Sequence, residues 1–133
     1  MMTLHYSLTK PISPADLQPL FAQTDWAAKR SPESLQAMLD QRGVCVGAWE
    51  GERLIGFARA FTDDVFRAFI EDVIVDEAYR GQGIGGELTR RLLERLDHVE
   101  EIMLSCHDHL IPFYERLGFE RSGMVFMHIW KGG

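Results

Sequence analysis

The tightest constraint on this chain is the run Arg80-Gly81-Gln82-Gly83-Ile84-Gly85-Gly86, in which four glycines fall within six positions. Before it stands the β-branched run Val73-Ile74-Val75, the end of a strand. After it, Ile84, Leu88, Leu92 and Leu96 recur every fourth residue, with Glu87, Arg90, Arg91, Glu94 and Arg95 on the other side, so Gly83 to Leu96 reads as an amphipathic helix. The arginines read as a solvated helix face. A strand that enters a helix through glycines lets the backbone approach a ligand closely. The first N–H groups of the helix, which have no partner within it, then point at an anion.

The chain around this junction alternates between strand and helix signals. Leu4, Tyr6 and Leu8 alternate with polar neighbours, and Pro11 and Pro14 end that pattern. Ser13 caps a helix from Pro14 to Gln23, with Asp16 in its first turn; Ser31-Pro32-Glu33 opens a second, Ser34 to Gln41, closed by Gly43. The period then changes to that of strands. Val44 to Trp49, Leu54 to Phe61 and Phe66 to Val75, separated by Glu50-Gly51-Glu52 and Thr62-Asp63-Asp64, predict an antiparallel meander. Beyond the glycine turn come a strand at Ile102 to Cys106, a short helix from Ile111 to Leu117 stopped by Gly118, and a last strand at Val125 to Trp130. This order predicts an α/β domain spanning 1–133: a mixed, mostly antiparallel sheet of about six to seven strands with helices on both faces.

Composition narrows the function classes. A hydrophobic content of 46% is enough to bury one core. No segment approaches the roughly 20 apolar residues of a membrane span, and Met1 to Tyr6 resembles no leader, so neither a membrane nor a processing step is expected. Twenty acidic against fourteen basic residues give a net charge of -6, and no basic stripe forms, which argues against nucleic acid. Cys45 and Cys106, both inside apparent strands, behave as small core residues, and a reducing cytoplasm suits them.

Gly81 to Gly86 also satisfies the G-x-G-x-x-G pattern of dinucleotide-binding proteins. That fingerprint opens a parallel sheet, however, whereas here a meander precedes it, and the 47 residues after Gly86 cannot supply the remaining parallel strands. The nucleoside-triphosphate loop fails too, for no Gly-Lys-Ser/Thr follows. The stretch from Asp72 to Gly85 instead resembles the central motif of the GNAT superfamily of acetyl-CoA-dependent N-acetyltransferases. Phe113-Tyr114-Glu115-Arg116-Leu117-Gly118-Phe119 resembles that family's second motif, a helix-borne tyrosine followed by Gly-Phe. The two stand in the family's order and spacing, and the resemblance covers Val44 to Phe119.

The resemblance implies a cofactor cleft where the fourth strand splays from the fifth. It implies that N–H groups of Gln82 to Gly86, with Arg80 and Gly81 beside them, hold the pyrophosphate of acetyl-CoA, while the backbone of Val73, Ile74 and Val75 pairs with the pantetheine arm. Tyr114 matches the tyrosine near the cofactor sulfur, and a phenol, still protonated at neutral pH, suits protonation of a departing thiolate. Strand alternation puts Phe69, Glu71 and Val73 on one face and Ile70, Asp72 and Ile74 on the other. Glu71 is the candidate base, acting through water; a carboxylate at the cleft rim that only orients a cationic amine is the alternative. The family often has an asparagine seven residues before its tyrosine. Here that place is His107, expected to touch the cofactor or to assist proton transfer. His107, Asp108 and His109 lack a further ligand at a recognisable spacing, so no metal is expected.

A small primary amine is the expected acceptor, with amino acids, aminosugars and protein N-termini or lysines behind it. Trp26, Phe21, Phe66, Phe69 and Trp130 are candidates for an aromatic acceptor wall. Leu54 to Ala60 and Phe119 to Met127 also resemble plastid and cyanobacterial arylalkylamine acetyltransferases. Family members are often dimers, sometimes through the final strand, which extends a homodimer to this chain as an expectation. A non-catalytic acyl-CoA sensor is the alternative function; it would keep the turn and lose the acid–base groups.

Overall fold

The computed structural model describes residues 3–132. Five strands form one sheet in sequence order: β1 (His5–Ser7), β2 (Val44–Glu50), β3 (Arg53–Thr62), β4 (Arg67–Val75) and β5 (Glu101–Met103). The first four are mutually antiparallel, and β5 joins β4 in parallel. The mixed, mostly antiparallel sheet is therefore as expected, but with five strands among the described residues in place of six to seven.

The missing strand is the run Val125–Trp130. It is a nearly continuous run of apolar and aromatic side chains broken only by His128, as suits a strand, yet among the described residues no element forms after residue 115. Met124, Val125, Met127 and Ile129 are each more than four-fifths exposed, Phe126 and Trp130 are exposed as well, and the sheet ends at β5. The physical reason is that β-branched and aromatic residues record suitability for a pleated surface, whereas a strand also needs an edge to pair with, and sequence does not say where that edge is. Cys106 is corrected likewise: β5 stops at Met103, and the thiol is exposed rather than in a strand core.

The two helices before β2 follow their caps. In α1 (Pro14–Phe21) the Ser13 hydroxyl accepts the Asp16 N–H and the Asp16 carboxylate accepts the Ser13 N–H, closing a capping box. In α2 (Pro32–Leu39) the Ser31 hydroxyl accepts the Ser34 N–H. Leu17, Leu20, Phe21 and Leu35 from this pair pack with Trp49, Leu54, Phe57 and Ile74 on one face of the sheet. On the other face lies α3 (Ile84–Arg95), whose Ile84, Leu88 and Leu92 meet Val46, Ala48, Ile55, Ala58 and Ile70. Gly56 permits the close approach: a Cβ there would come within 3.0 Å of Leu88 Cδ1 and 3.2 Å of Ile84 Cγ2. Helices thus cover both faces, and the last short helix, α4 (Ile111–Glu115), abuts the beginning of α3 through Phe113.

Strand β4 does not keep one parity along its length. Arg59 pairs with Glu71 and Phe57 with Ile74, so three steps of β4 oppose two of β3, and Asp72 takes a left-handed φ of 55°. This is a β-bulge. Residues 71 and 74 consequently share the α1–α2 face, and Val73 packs with Ile70 and Val75 on the α3 side. The expected grouping of Ile70 with Ile74 and of Phe69 with Val73 is corrected, because one extra residue reverses the alternation downstream.

Candidate active site

The glycine turn lies where the sheet hands the chain to α3. Asp76 accepts the Ala78 N–H, a single turn of 3₁₀ helix follows at Glu77–Tyr79, and Gly81 and Gly83 each adopt φ of 80°. A left-handed residue in these two places is what glycine supplies without steric cost. Nothing in the protein lies within 4 Å of a Cβ built at either position, so that space is open. Gly83 is the N-cap of α3 and makes no side-chain cap. The first intrahelical bond is from Glu87 N–H to the Gly83 carbonyl, which leaves the N–H groups of Ile84, Gly85 and Gly86 without acceptors among the described residues. Three unpaired donors at the positive end of a twelve-residue helix make a surface suited to an anion.

The turn forms one wall of a cleft of about 540 Å³, which takes in Val75, Arg80, Gly81, Gly83, Ile84, Gly85 and Gly86. That volume is ordinary for a small-molecule site. The opposite wall is Phe113, Arg116 and Leu117 of α4 and its C-terminal turn. Arg80 Nε donates to the Val75 carbonyl at 3.2 Å, which fixes its guanidinium at the end of β4. Arg90, read from sequence as a solvated cation, also faces the cleft, one turn above Gly86 and paired with Glu87 at 2.6 Å. Its spacing of four from Gly86 was the available signal; Arg116 and Tyr79, which also line the cleft, carried none.

Four of the other expected cofactor contacts stand outside this lining. Gln82 is exposed on the turn, and His107 is exposed at the start of a second 3₁₀ turn, Asp108–Leu110, its ring stacked on His109 at 6.0 Å. The side chains of Val73 and Ile74 are engaged elsewhere, Ile74 buried in the α1–α2 cluster and Val73 packed toward α3. The β4–β5 ladder covers only Arg67 to Phe69, so β4 runs from Ile70 to Val75 with no strand beside it on that edge.

Tyr114 is half-buried, packed edge-on against Phe113 at 4.9 Å and Phe119 at 5.8 Å. Burial, assisted by the nearby Cys106, pushes its hydroxyl up to about 12, and the group stays protonated throughout the neutral range. Glu71 is on the α1–α2 face of the sheet beside Arg59 and Phe69. Burial and the adjacent Asp72 raise its carboxyl above the usual range, against the opposing charges of Arg59 and Arg30. Of the aromatic residues proposed for an acceptor wall, Phe21 belongs to the core at 1% exposure, whereas Trp26 and Phe66 are exposed and Phe69 stacks on Phe61 at 5.5 Å.

The feature that strand alternation concealed is Asp72. Its side chain is fully buried at the bulge and accepts from Arg59 Nε at 2.7 Å and Arg30 Nη1 at 3.0 Å. Burial pushes the Asp72 carboxyl up, but the Arg59 hydrogen bond and the charges of both arginines outweigh it, so it stays below the usual range.

The chain that carries this arrangement, an uncapped helix start behind left-handed glycines and opposite a tyrosine-bearing helix, is similar in sequence and fold to known proteins. The profile of the acetyltransferase (GNAT) family matches residues 9–119. The chain belongs to that family. An uncharacterized N-acetyltransferase ycf52-like protein of Prochlorococcus marinus is 31% identical over 123 residues, covering 88% of this chain and 68% of that one. A crystal structure of an acetyltransferase candidate from Deinococcus radiodurans R1 superposes with a TM-score of 0.82 at 35% identity, over 94% of this chain and 87% of that one. Histone acetyltransferase TAP1 of Glycine max is 44% identical over 73 residues, 53% of this chain. The chain spans about a third of the length of that soybean relative, 32%. In this GNAT chain no helix among the described residues is long and apolar enough to cross a membrane.

The Asp72 ion pairs make a prediction about stability. A carboxyl held below its unfolded value contributes stability that is fully present above that value and lost as pH falls through the folded one. Asp72→Asn, which leaves two arginines without their buried partner, is expected to cost about 3–5 kcal/mol at pH 6–8. In urea unfolding series, the gap between wild type and variant should narrow below about pH 4, the ordinary aspartate range; a gap independent of pH would show that the carboxylate charge is not what holds the bulge.

Proposed function

We propose that this chain transfers an acetyl group from acetyl-CoA to a primary amine by direct attack in a ternary complex. The observation that carries the proposal is the set of unpaired N–H groups at Ile84, Gly85 and Gly86, which open onto a cleft whose far wall is the helix bearing Tyr114. Acetyl-CoA fits those residues as a substrate. Its pyrophosphate suits the three donors and the open space above Gly81 and Gly83, with Arg80, Arg90 and Arg116 available for the remaining phosphate charge. The edge of β4 from Ile70 to Val75, which has no partner strand and whose Val75 carbonyl is taken by Arg80 Nε, suits the amide-bearing pantetheine arm. Roles for Gln82 and His107 in cofactor binding remain part of the proposal through the family motif alone.

In this mechanism the amine nitrogen attacks the thioester carbonyl carbon, a C–N bond forms and the C–S bond breaks. Glu71 removes a proton from the ammonium through water before the attack, and the acylated nitrogen gives its second proton to solvent as the tetrahedral adduct collapses. A raised carboxyl makes a better proton acceptor than an ordinary one, and the charge also attracts the cationic acceptor. The departing thiolate takes the proton of the Tyr114 hydroxyl, which solvent restores. A backbone N–H at the β4 bulge, Val73 or Ile74, is the proposed donor to the developing oxyanion. A small amine is the first acceptor class; the name of the soybean relative supports a protein lysine as the second.

The proposal includes a homodimer. Residues 124–130 leave six large apolar side chains exposed, and only the Met124 N–H, taken by the Ser122 hydroxyl, is bonded among their backbone groups. An apolar segment with free backbone groups seeks a sheet edge. Sedimentation should find twice the monomer mass, and a monomer at micromolar concentration would remove the dimer from the account.

Thiol release from acetyl-CoA across a panel of amines tests the activity, and binding without amine-dependent release would favour a non-catalytic acyl-CoA sensor. Tyr114→Phe should lower turnover by about 10²-fold or more with acetyl-CoA affinity retained. Because Glu71 must be ionised to accept a proton, activity should rise with pH along an acidic limb lying above the ordinary glutamate range. Glu71→Gln should abolish that limb; a limb that persists would take the base role from Glu71.

A further inference from the structure

Residues 22–31, between α1 and α2, have no regular structure, yet they are fastened at two points, the Asp72 bulge of β4 and Glu77 just beyond its end. At one end Gln23 Oε1 accepts the Glu77 N–H at 2.9 Å, just beyond β4 and before the glycine turn. At the other end Arg30 reaches the bulge, with Nη1 3.0 Å from Asp72 Oδ2, and its guanidinium lies 5.2 Å above the ring of Phe21. Between them Thr24 accepts the Ala27 N–H and holds a tight turn, and Ala27 is buried. Trp26 is thereby presented outward, 57% exposed, with its indole Nε1 3.5 Å from Asp72 Oδ1.

The chemistry around this segment is uneven. Asp72 does not need Arg30 for neutralisation, because Arg59 already donates to the same oxygen at 2.7 Å from the neighbouring strand. A second arginine brought from 42 residues away costs side-chain entropy and desolvation, and what it gains is attachment of its own segment. The residue next to Asp72 is Glu71, and beside Glu71 on the same face the Phe61–Phe69 stack lies partly open to solvent. Glu71 is therefore bordered on one side by that stack and on the other by the segment carrying Trp26.

We propose that Arg30 is a positioning residue: through Asp72 it docks residues 22–31 on the β4 bulge, making Trp26 and its neighbours one wall of the acceptor site beside Glu71. The inference rests on the acetyl-transfer reading for the word acceptor, and on the contacts alone for the docking. It separates two jobs along β4. The glycine end holds the acyl donor, and the Arg30–Asp72 contact sets the space open to the amine.

The test compares wild type, Arg30→Ala, Arg30→Lys and Trp26→Ala. Arg59 still neutralises Asp72 in all of them, so the fold is expected to persist. In Arg30→Ala, amide hydrogen exchange across residues 22–31 should accelerate at least about 10-fold while exchange within α3 stays unchanged, and Arg30→Lys should recover part of the protection. The amine KM should rise about 10-fold in Arg30→Ala and Trp26→Ala, with the acetyl-CoA Kd measured by calorimetry within about twofold of wild type. Unchanged exchange in residues 22–31 overturns the docking. An amine KM that stays put, or moves only in step with the acetyl-CoA Kd, overturns the acceptor wall. Should wild type release no thiol with any amine, the acetyl-transfer reading fails and the acceptor wall with it, while the exchange measurement still decides the docking.

Discussion

The buried carboxylate of Asp72 sits at the point where β4 stops being a regular strand, and much of the site depends on that break. Its left-handed backbone adds one residue to β4, so that Glu71 and Ile74 both face α1 and α2. Two arginines hold the carboxylate. The backbone conformation alone is unfavourable for a residue other than glycine, though aspartate tolerates it better than most. With both arginines in place, adopting that conformation buries an ion-pair network; without them it would bury a bare charge.

The second element, the glycine turn, follows from where β4 ends. Docking of α3 across Gly56 fixes the helix axis against the sheet, so the uncapped first turn of α3 opens beside the unpaired edge of β4. Donors at the turn and a free backbone edge then lie along one path. The same path is closed on its far side by α4, whose Phe113 comes within 3.6 Å of a Cβ built at Gly85. An acyl carrier with a charged end and an extended amide arm has the shape of that path, which is why the family fold and the local geometry lead to one proposal.

Much of this was legible in the sequence because it is local. Ser13 with Asp16 and Ser31 with Pro32 announce their helices through short-range capping, and Ile84 to Leu96 announces α3 through its period. The glycines at 81 and 83 mark left-handed positions that few other residues occupy. What escaped is what depends on partners distant in sequence. Alternation along Phe69 to Val75 cannot show a bulge, because the extra residue is defined by the register against β3. Arg30 and Arg59 are ordinary surface residues until the fold brings them to Asp72. Arg90 does stand on the solvated helix face, but that it also lines the cleft depends on α4 and the turn, and Val125 to Trp130 reads as a strand by composition while no edge lies beside it among the described residues.

The central claim is that one continuous path, from the N–H groups of Ile84 to Gly86 along the open edge of β4, is the binding site for the acyl donor. Titration of isotopically labelled protein with coenzyme A, followed by amide chemical shifts, measures this directly. The account predicts saturable shifts at residues 83–86 and 73–75, with residues 8–9 and 43–45 on the opposite side of α3 unmoved. Saturable shifts confined to that second group, or none at residues 83–86, would contradict it.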